Sequence, residues 1–145
     1  MDPLKRIPKT DDPVVLRTDF SDEAAWESIR TAIEEPDVDF GFRAYMDFVS
    51  DPAYEGITTE QVLSLVPKGS GRSFIFVVDH TALSHPERPI LVVDLDAEPG
   101  RSFRVVPSEM WGLENNLSLA NMDFDDFAGA VDPNGVFRGF PEDWR

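Results

Sequence analysis

The chain has 145 residues, 28 acidic against 13 basic side chains, 41% hydrophobic residues and no cysteine. That length favours one domain with a sizeable core, and the missing cysteines exclude a disulfide framework, a thiolate metal site and a cysteine nucleophile. A formal net charge of −15 disfavours nucleic acid and anionic membrane as partners, and no apolar run approaches the length of a bilayer span.

Residues 1–12 carry two prolines and mixed charge and read as a flexible arm without the apolar stretch of a secretory signal. Residues 13–145 are then the single globular unit. Val14-Val15-Leu16-Arg17-Thr18 is a short β-branched strand. Asp19 and Ser21 offer N-cap oxygens to the helix that follows, with Asp22 and Glu23 placed where its dipole favours negative charge. Ala25, Trp26, Ile29, Ala32 and Ile33 recur at helical spacing, Arg30 can pair with Glu34, and Pro36 ends the helix.

Phe42 to Val49 alternates in the manner of a half-buried strand, and Asp51-Pro52 marks a loop. Thr58 or Thr59 can cap a short helix whose Val62, Leu63 and Val66 face the core. Phe74–Val78 and Ile90–Leu95 are near-continuous apolar runs, so both faces of their sheet must be covered. Between them lies a connection, residues 79–89, read as loop. Glu98-Pro99-Gly100-Arg101 turns the chain into Phe103–Val106, an antiparallel hairpin. Pro107-Ser108-Glu109 opens a helix carrying Met110, Trp111, Leu113 and Leu117, and Asp123 can cap another with Phe124 and Phe127. Val136 to Phe140 is a short final segment. The order β-α-β-α-β-β-β-α-α predicts an α/β (α+β) fold: one mixed, roughly five-stranded sheet with helices on both faces.

Several groups are candidates for chemistry. Asp79 and His80 follow a buried strand and are the candidate catalytic pair, a carboxylate beside an imidazole, with Arg17 or Arg104 as an anion anchor. His80 and His85 are five apart, not at the i,i+4 spacing that turns two imidazoles onto one metal, and ordinary loop roles explain them more cheaply. Asp94 and Asp96 share one side of a strand, but solvent beginning at Asp94 accounts for both. Asp123-Phe124-Asp125-Asp126 spells D-x-D-D without the glycine and distal glutamate of a calcium loop, so capping is the favoured reading. Lys68-Gly69-Ser70-Gly71-Arg72-Ser73 precedes a strand rather than a helix, which weakens a phosphate-binding role. No metal site and no cofactor are expected. Glu114, Asn115, Asn116 and Asn121 form the most unusual cluster. Their side chains either satisfy helix-end carbonyls and amides or, beside Trp111, make a polar recognition surface.

Phe103-Arg104-Val105-Val106-Pro107-Ser108-Glu109-Met110-Trp111, with Glu114-Asn115-Asn116-Leu117 and Ala120-Asn121-Met122-Asp123-Phe124, resembles an uncharacterised actinobacterial domain family of unknown function. Leu16–Ser21 and Gly135–Gly139 fit the same pattern, so the resemblance spans residues 13–140. It implies an actinobacterial source and a cytoplasmic location and carries no known chemistry. A GC-rich genome or a salt-adapted surface explains much of the acidity, as does the preference for Arg, with only Lys5, Lys9 and Lys68 as lysines. The functional expectation is an acidic, cytoplasmic protein-interaction module without catalysis, of the immunity, inhibitor or regulator kind. Its binding face is Trp111, Glu114, Asn115, Asn116 and Asn121, and a protein is its partner, rather than nucleic acid or membrane. The alternative is a small metal-independent enzyme using an Asp/His pair at a strand end.

Overall fold

The computed structural model describes residues 5–36, 41, 45–67, 69, 71–119 and 121–140. Six strands form one mixed sheet: β1 (Val14–Arg17), β2 (Asp47–Val49), β3 (Phe74–Val78), β4 (Ile90–Asp94), β5 (Ser102–Val105) and β6 (Val136–Phe137). Their spatial order is β2-β1-β3-β4-β5-β6. β1 pairs parallel with both β2 and β3, β4 runs antiparallel to its neighbours, and β5 and β6 are parallel.

The fold class matches the sequence expectation, and the strand count is six rather than five. The extra strand is β6, whose two residues are too few to show a period; pairing with Arg104 and Val105 defines it. The strand expected over residues 42–49 is confined to Asp47–Val49, and residues 42–44 lie outside the described residues. The expected loop after β3 contains a short helix, because Asp79 caps it and Ala82 and Leu83 give it a buried side.

Alternate residues of each central strand feed two cores, as the pleat requires. On one face Val15, Phe74, Phe76, Val78, Val92 and Val105 meet most of the helices: α1 (Glu23–Glu34), α3 (His80–Ser84), α4 (Met110–Ser118) and α5 (Phe124–Ala128). On the other, Val14, Leu16, Ile75, Val77 and Val93 meet Tyr54, Ile7 and α2 (Thr59–Leu65). Trp26 and Ile29 of α1 are fully buried, so the stripe read from their spacing faces the sheet. Thr58 and Gln61 form a reciprocal capping box that starts α2. Gly100 supplies the positive φ of +96° that the β4–β5 turn needs.

This arrangement determines where loops converge. The chain leaves β1 through α1 on one face to reach β2, then returns through α2 on the opposite face to β3. The connections leaving the C-terminal ends of β1 and β2 therefore diverge to opposite faces, the place where open α/β sheets characteristically form a crevice, and there Arg17 meets Ser50.

Residues 5–12, read from sequence as arm, are tied to the second core. Ile7 is only 2% exposed, its N–H donates to the Leu65 carbonyl at 2.9 Å, and the buried Tyr54 hydroxyl donates to the Arg6 carbonyl at 2.7 Å. Lys5 and Asp51 add an ion pair. Ile7→Ala should therefore cost about 2–5 kcal/mol, the usual range for removing a buried aliphatic side chain. Urea denaturation measures this, and a loss below about 0.5 kcal/mol, the scale of a surface change, would contradict the packing.

Candidate functional site

Arg17 ends β1 with its side chain buried, so its charge must be satisfied inside the protein. Its guanidinium donates to the Asp19 carbonyl at 3.1 Å, to Ser50 Oγ at 3.2 Å and to Glu23 Oε2 at 2.8 Å. It also lies over the Phe20 ring at 4.2 Å and the Trp26 ring at 5.1 Å. Thr18 next binds the Val78 carbonyl with its N–H at 3.0 Å, locking the loop after β1 to the end of β3. One buried cation thus draws together the ends of β1, β2 and α1.

Asp19 was expected among the cap oxygens of α1, but the N-cap is Asp22, whose carboxylate accepts from the Ala25 N–H at 3.0 Å. Asp19 Oδ1 instead accepts from the Ser21 N–H at 2.8 Å and the Ser21 hydroxyl at 2.5 Å, and Oδ2 lies 3.0 Å from His80 Nδ1. These contacts, the Ser21 hydroxyl foremost, hold the Asp19 carboxyl below the usual aspartate range.

Asp79 and His80 are neighbours in sequence, yet their side chains take different partners. Asp79 accepts both arms of Arg104, at 2.7 and 3.0 Å, while capping α3 through the Ala82 N–H. Arg104 also donates to the Pro89 carbonyl, so it is held by protein groups rather than left open as an anion anchor. His80 pairs with Asp19, 61 positions away in sequence, a relation no local motif announces.

Helix α4 carries Trp111, Glu114, Asn115 and Asn116 of the expected binding residues, with Asn121 beyond its end, and joins two clefts. Trp111 lines an open cleft of about 570 Å³ with Ile33, Pro36, Pro86 and Val106, where Glu35 and Glu87 are balanced by Arg88 and Arg138. Arg138 bridges Glu87 and Asp132, and both carboxyls are lowered chiefly by its hydrogen bonds. At the other end, Leu117 lines a groove of about 600 Å³ with Phe74, Met122 and Phe124. Its wall carries Asp94, Asp96, Glu98, Asp123 and Asp125 against the single Arg101.

The helix period places Trp111, Glu114 and Asn115 on one side of α4. Burial pushes the Glu114 carboxyl up, opposed by a hydrogen bond from Ser118. Asn116 lies apart from that side: its amide donates to the Gly112 carbonyl at 2.8 Å, the helix-satisfying role weighed from sequence. Its own carbonyl accepts from the N–H groups of Asn121 and Met122, closing the chain around the helix end. Asn121 is exposed beside Met122, and Leu119 is 63% exposed.

Asp94 departs from the expectation that solvent begins there. It is buried, and its two oxygens accept the N–H groups of Asp96 and Glu98, shaping the turn into β5. Phe74 pairs with Asp94 across the antiparallel strands, so Asp94 and Asp79 lie at opposite ends of the sheet. In the D-x-D-D segment, Asp126 accepts from the Asp123 N–H at 2.8 Å, the capping arrangement favoured from sequence. Among the described residues no group of three or more His, Asp or Glu is disposed to hold a metal ion. Lys68 and Ser70 of the glycine-rich stretch lie outside the described residues.

The family model DUF6924, a domain of unknown function, matches residues 12–140. The chain belongs to that family. No match is found among curated proteins. The DUF6924 match covers the whole sheet, both clefts and the Asp19–His80 pair, so these are features of the domain rather than of an appendage. Among the described residues, no helix is long and apolar enough to cross a membrane.

The buried Arg17 gives a discriminating expectation. Glu23→Ala leaves its charge without a carboxylate and should cost about 1–3 kcal/mol, the buried-pair value discounted for the exposed glutamate. Glu23→Gln keeps an acceptor and should cost less, as measured by thermal and urea denaturation. Acid provides a second check, since folded Asp19 and Asp132 bind protons more weakly than unfolded aspartates near 3.8. The unfolded chain then takes up more protons at these two sites, so their contribution to stability falls as pH drops through that value toward the lowered folded ones and is constant above it. Asp132→Asn should flatten the fall; an unchanged acid profile of urea midpoints would contradict the assignment.

Proposed function

We propose that this domain is a protein-interaction module that docks a positively charged partner on the surface formed by α4, α5 and the β4–β5 turn. The observation that carries this reading is the groove beside Leu117, where Asp96, Glu98, Asp123 and Asp125 stand with Arg101 around an apolar floor and Asp94 is buried as a turn anchor. Apolar floor with charged rim is the anatomy of a recognition surface: burial provides affinity and the rim provides orientation and partner choice. Exposed Leu119 and Asn121 extend the surface outside the groove, and Trp111, Glu114 and Asn115 continue it along α4. Trp and Asn suit such a surface because they bring contact area and adaptable hydrogen bonding.

The net charge of −15 supports the same choice of partner. A cationic protein is steered by this field, whereas nucleic acid and anionic lipid are repelled. The Trp111 cleft, with two acids and two arginines, offers no such bias, so the acid-rimmed groove is the primary docking element. The cytoplasm of an actinobacterial cell is the setting that the resemblance implies.

A photo-cross-linking side chain at position 119 tests this in cells, with position 31 on α1 as the control. Position 119 should give a discrete cross-linked species that Asp96→Lys with Glu98→Lys abolishes, while position 31 gives none. With the partner purified, these reversals should lower the association rate at low salt by roughly tenfold and leave thermal stability nearly unchanged. Absence of a species from position 119, or its persistence in the reversed variant, contradicts the reading.

A further inference from the structure

The loops at the other end of β3 carry a second site, independent of the acid-rimmed groove. The chain has two histidines, and their hydrogen bonds assign them opposite tautomers. His85 Nδ1 accepts from the Glu87 backbone N–H at 3.1 Å, so its neutral ring carries the proton on Nε2. His80 Nδ1 faces the Asp19 carboxylate at 3.0 Å, an acceptor only, so its neutral ring carries the proton on Nδ1 and leaves Nε2 with a free lone pair. The His80 side chain is 76% exposed, and its Nε2 has no hydrogen-bond partner among the described residues. Asp19 is itself held by the Ser21 N–H and hydroxyl, so the ring is oriented by a fixed carboxylate.

The place matters as much as the pair. Asp19 follows β1 and His80 follows β3, and these strands are adjacent and parallel, so the pair joins two loops at the carboxyl end of the sheet. Loops held by a rigid scaffold beyond strand ends commonly carry binding and catalytic residues. An imidazole whose far nitrogen is bonded to a carboxylate is the usual form of an activated base or nucleophile.

We propose that His80 is a nucleophilic imidazole, positioned by Asp19, that accepts acyl groups at Nε2 from neutral activated esters. The Nε2 lone pair attacks the ester carbonyl carbon, forming an N–C bond while the C–O bond to the leaving group breaks and that oxygen departs with its electron pair. Asp19 stabilises the positive charge that develops on the ring. Water then attacks the acyl carbon and the N–C bond breaks with its electron pair returning to Nε2, which releases the carboxylic acid and one proton to solvent and restores the neutral imidazole. The carboxylate against the ring and the net charge of −15 disfavour anionic donors, so acyl phosphates are poorer substrates than neutral esters. Asp19 is a positioning residue and His80 the group that touches the substrate.

The test uses the full chain near neutral pH with p-nitrophenyl acetate as the neutral donor and acetyl phosphate as the anionic one. His80→Gln should lower p-nitrophenolate release at least about fivefold, and His85→Gln should change it less than about twofold. Two-bond proton–nitrogen correlation spectra should show the Nδ1–H form for His80 and the Nε2–H form for His85. Asp19→Ala should shift His80 towards the Nε2–H form and lower p-nitrophenolate release together, in a chain whose remaining amide spectrum is native, so that the loss of release follows the tautomer rather than the fold. Wild-type His80 in the Nε2–H form, or release insensitive to His80→Gln, overturns the proposal. Faster acetylation of His80 by acetyl phosphate than by the ester overturns the substrate class.

Discussion

The guanidinium of Arg17 is the constraint on which the arrangement of the loops depends. A cation buried at the end of a central strand is tolerable only when every neighbouring segment turns a carbonyl, a hydroxyl, a carboxylate or an aromatic face toward it. Asp19, Ser50, Glu23, Phe20 and Trp26 do so, and they come from the loop after β1, the end of β2 and the first turns of α1. Satisfying one charge thereby determines the paths of three segments. It also sets the backbone of Asp19, whose carboxylate then reaches His80 beyond the end of β3.

Much of the acidity is engaged in local backbone chemistry. Asp22, Asp51, Asp79, Asp94, Asp126 and Asp132 each accept backbone N–H groups at a helix start or a turn. A carboxylate in those positions satisfies amides that the first turn of a helix or a tight loop leaves without partners. That role explains many aspartates without any partner, and it separates them from Asp96 and Glu98, whose carboxylates stand on the groove wall. The surplus charge becomes directional only there, where it borders the apolar Leu117, Met122 and Phe124.

The two ends of β3 are chemically unlike. One meets the acid-rimmed groove through Phe74, and the other leads into Asp79 and His80. Separation along one strand keeps the acid-rimmed groove and the Asp19–His80 pair from sharing residues. Between them the sheet is covered unequally, with four helices on one face and α2, Tyr54 and Ile7 on the other. Ile7 belongs to that thinner cover, which is why a segment of low apolar content is nonetheless held.

Elements with a clear period or an apolar run were legible from the residues alone: α1 from its stripe, β3 and β4 from their continuous apolar character, the β4–β5 turn from Pro99-Gly100, and the start of α5 from Asp123 to Asp126. These depend on neighbours within a few positions, and local sterics and hydrogen bonding decide them. The two-residue β6, the five-residue α3 and the burial of Ile7 and Asp94 depend on partners elsewhere in the chain, so no local pattern disclosed them. The same limit applies to chemistry. Residue types identified Asp79 and His80 as neighbours, but side chains adjacent on a helix start point in different directions, and each found its partner across the sheet. The sequence by itself determined the fold class, the principal elements and the excess of negative charge. Only the tertiary structure decided which carboxylate meets His80, which arginine is buried and where the acidic charge borders an apolar floor, because each follows from strand order and long-range packing.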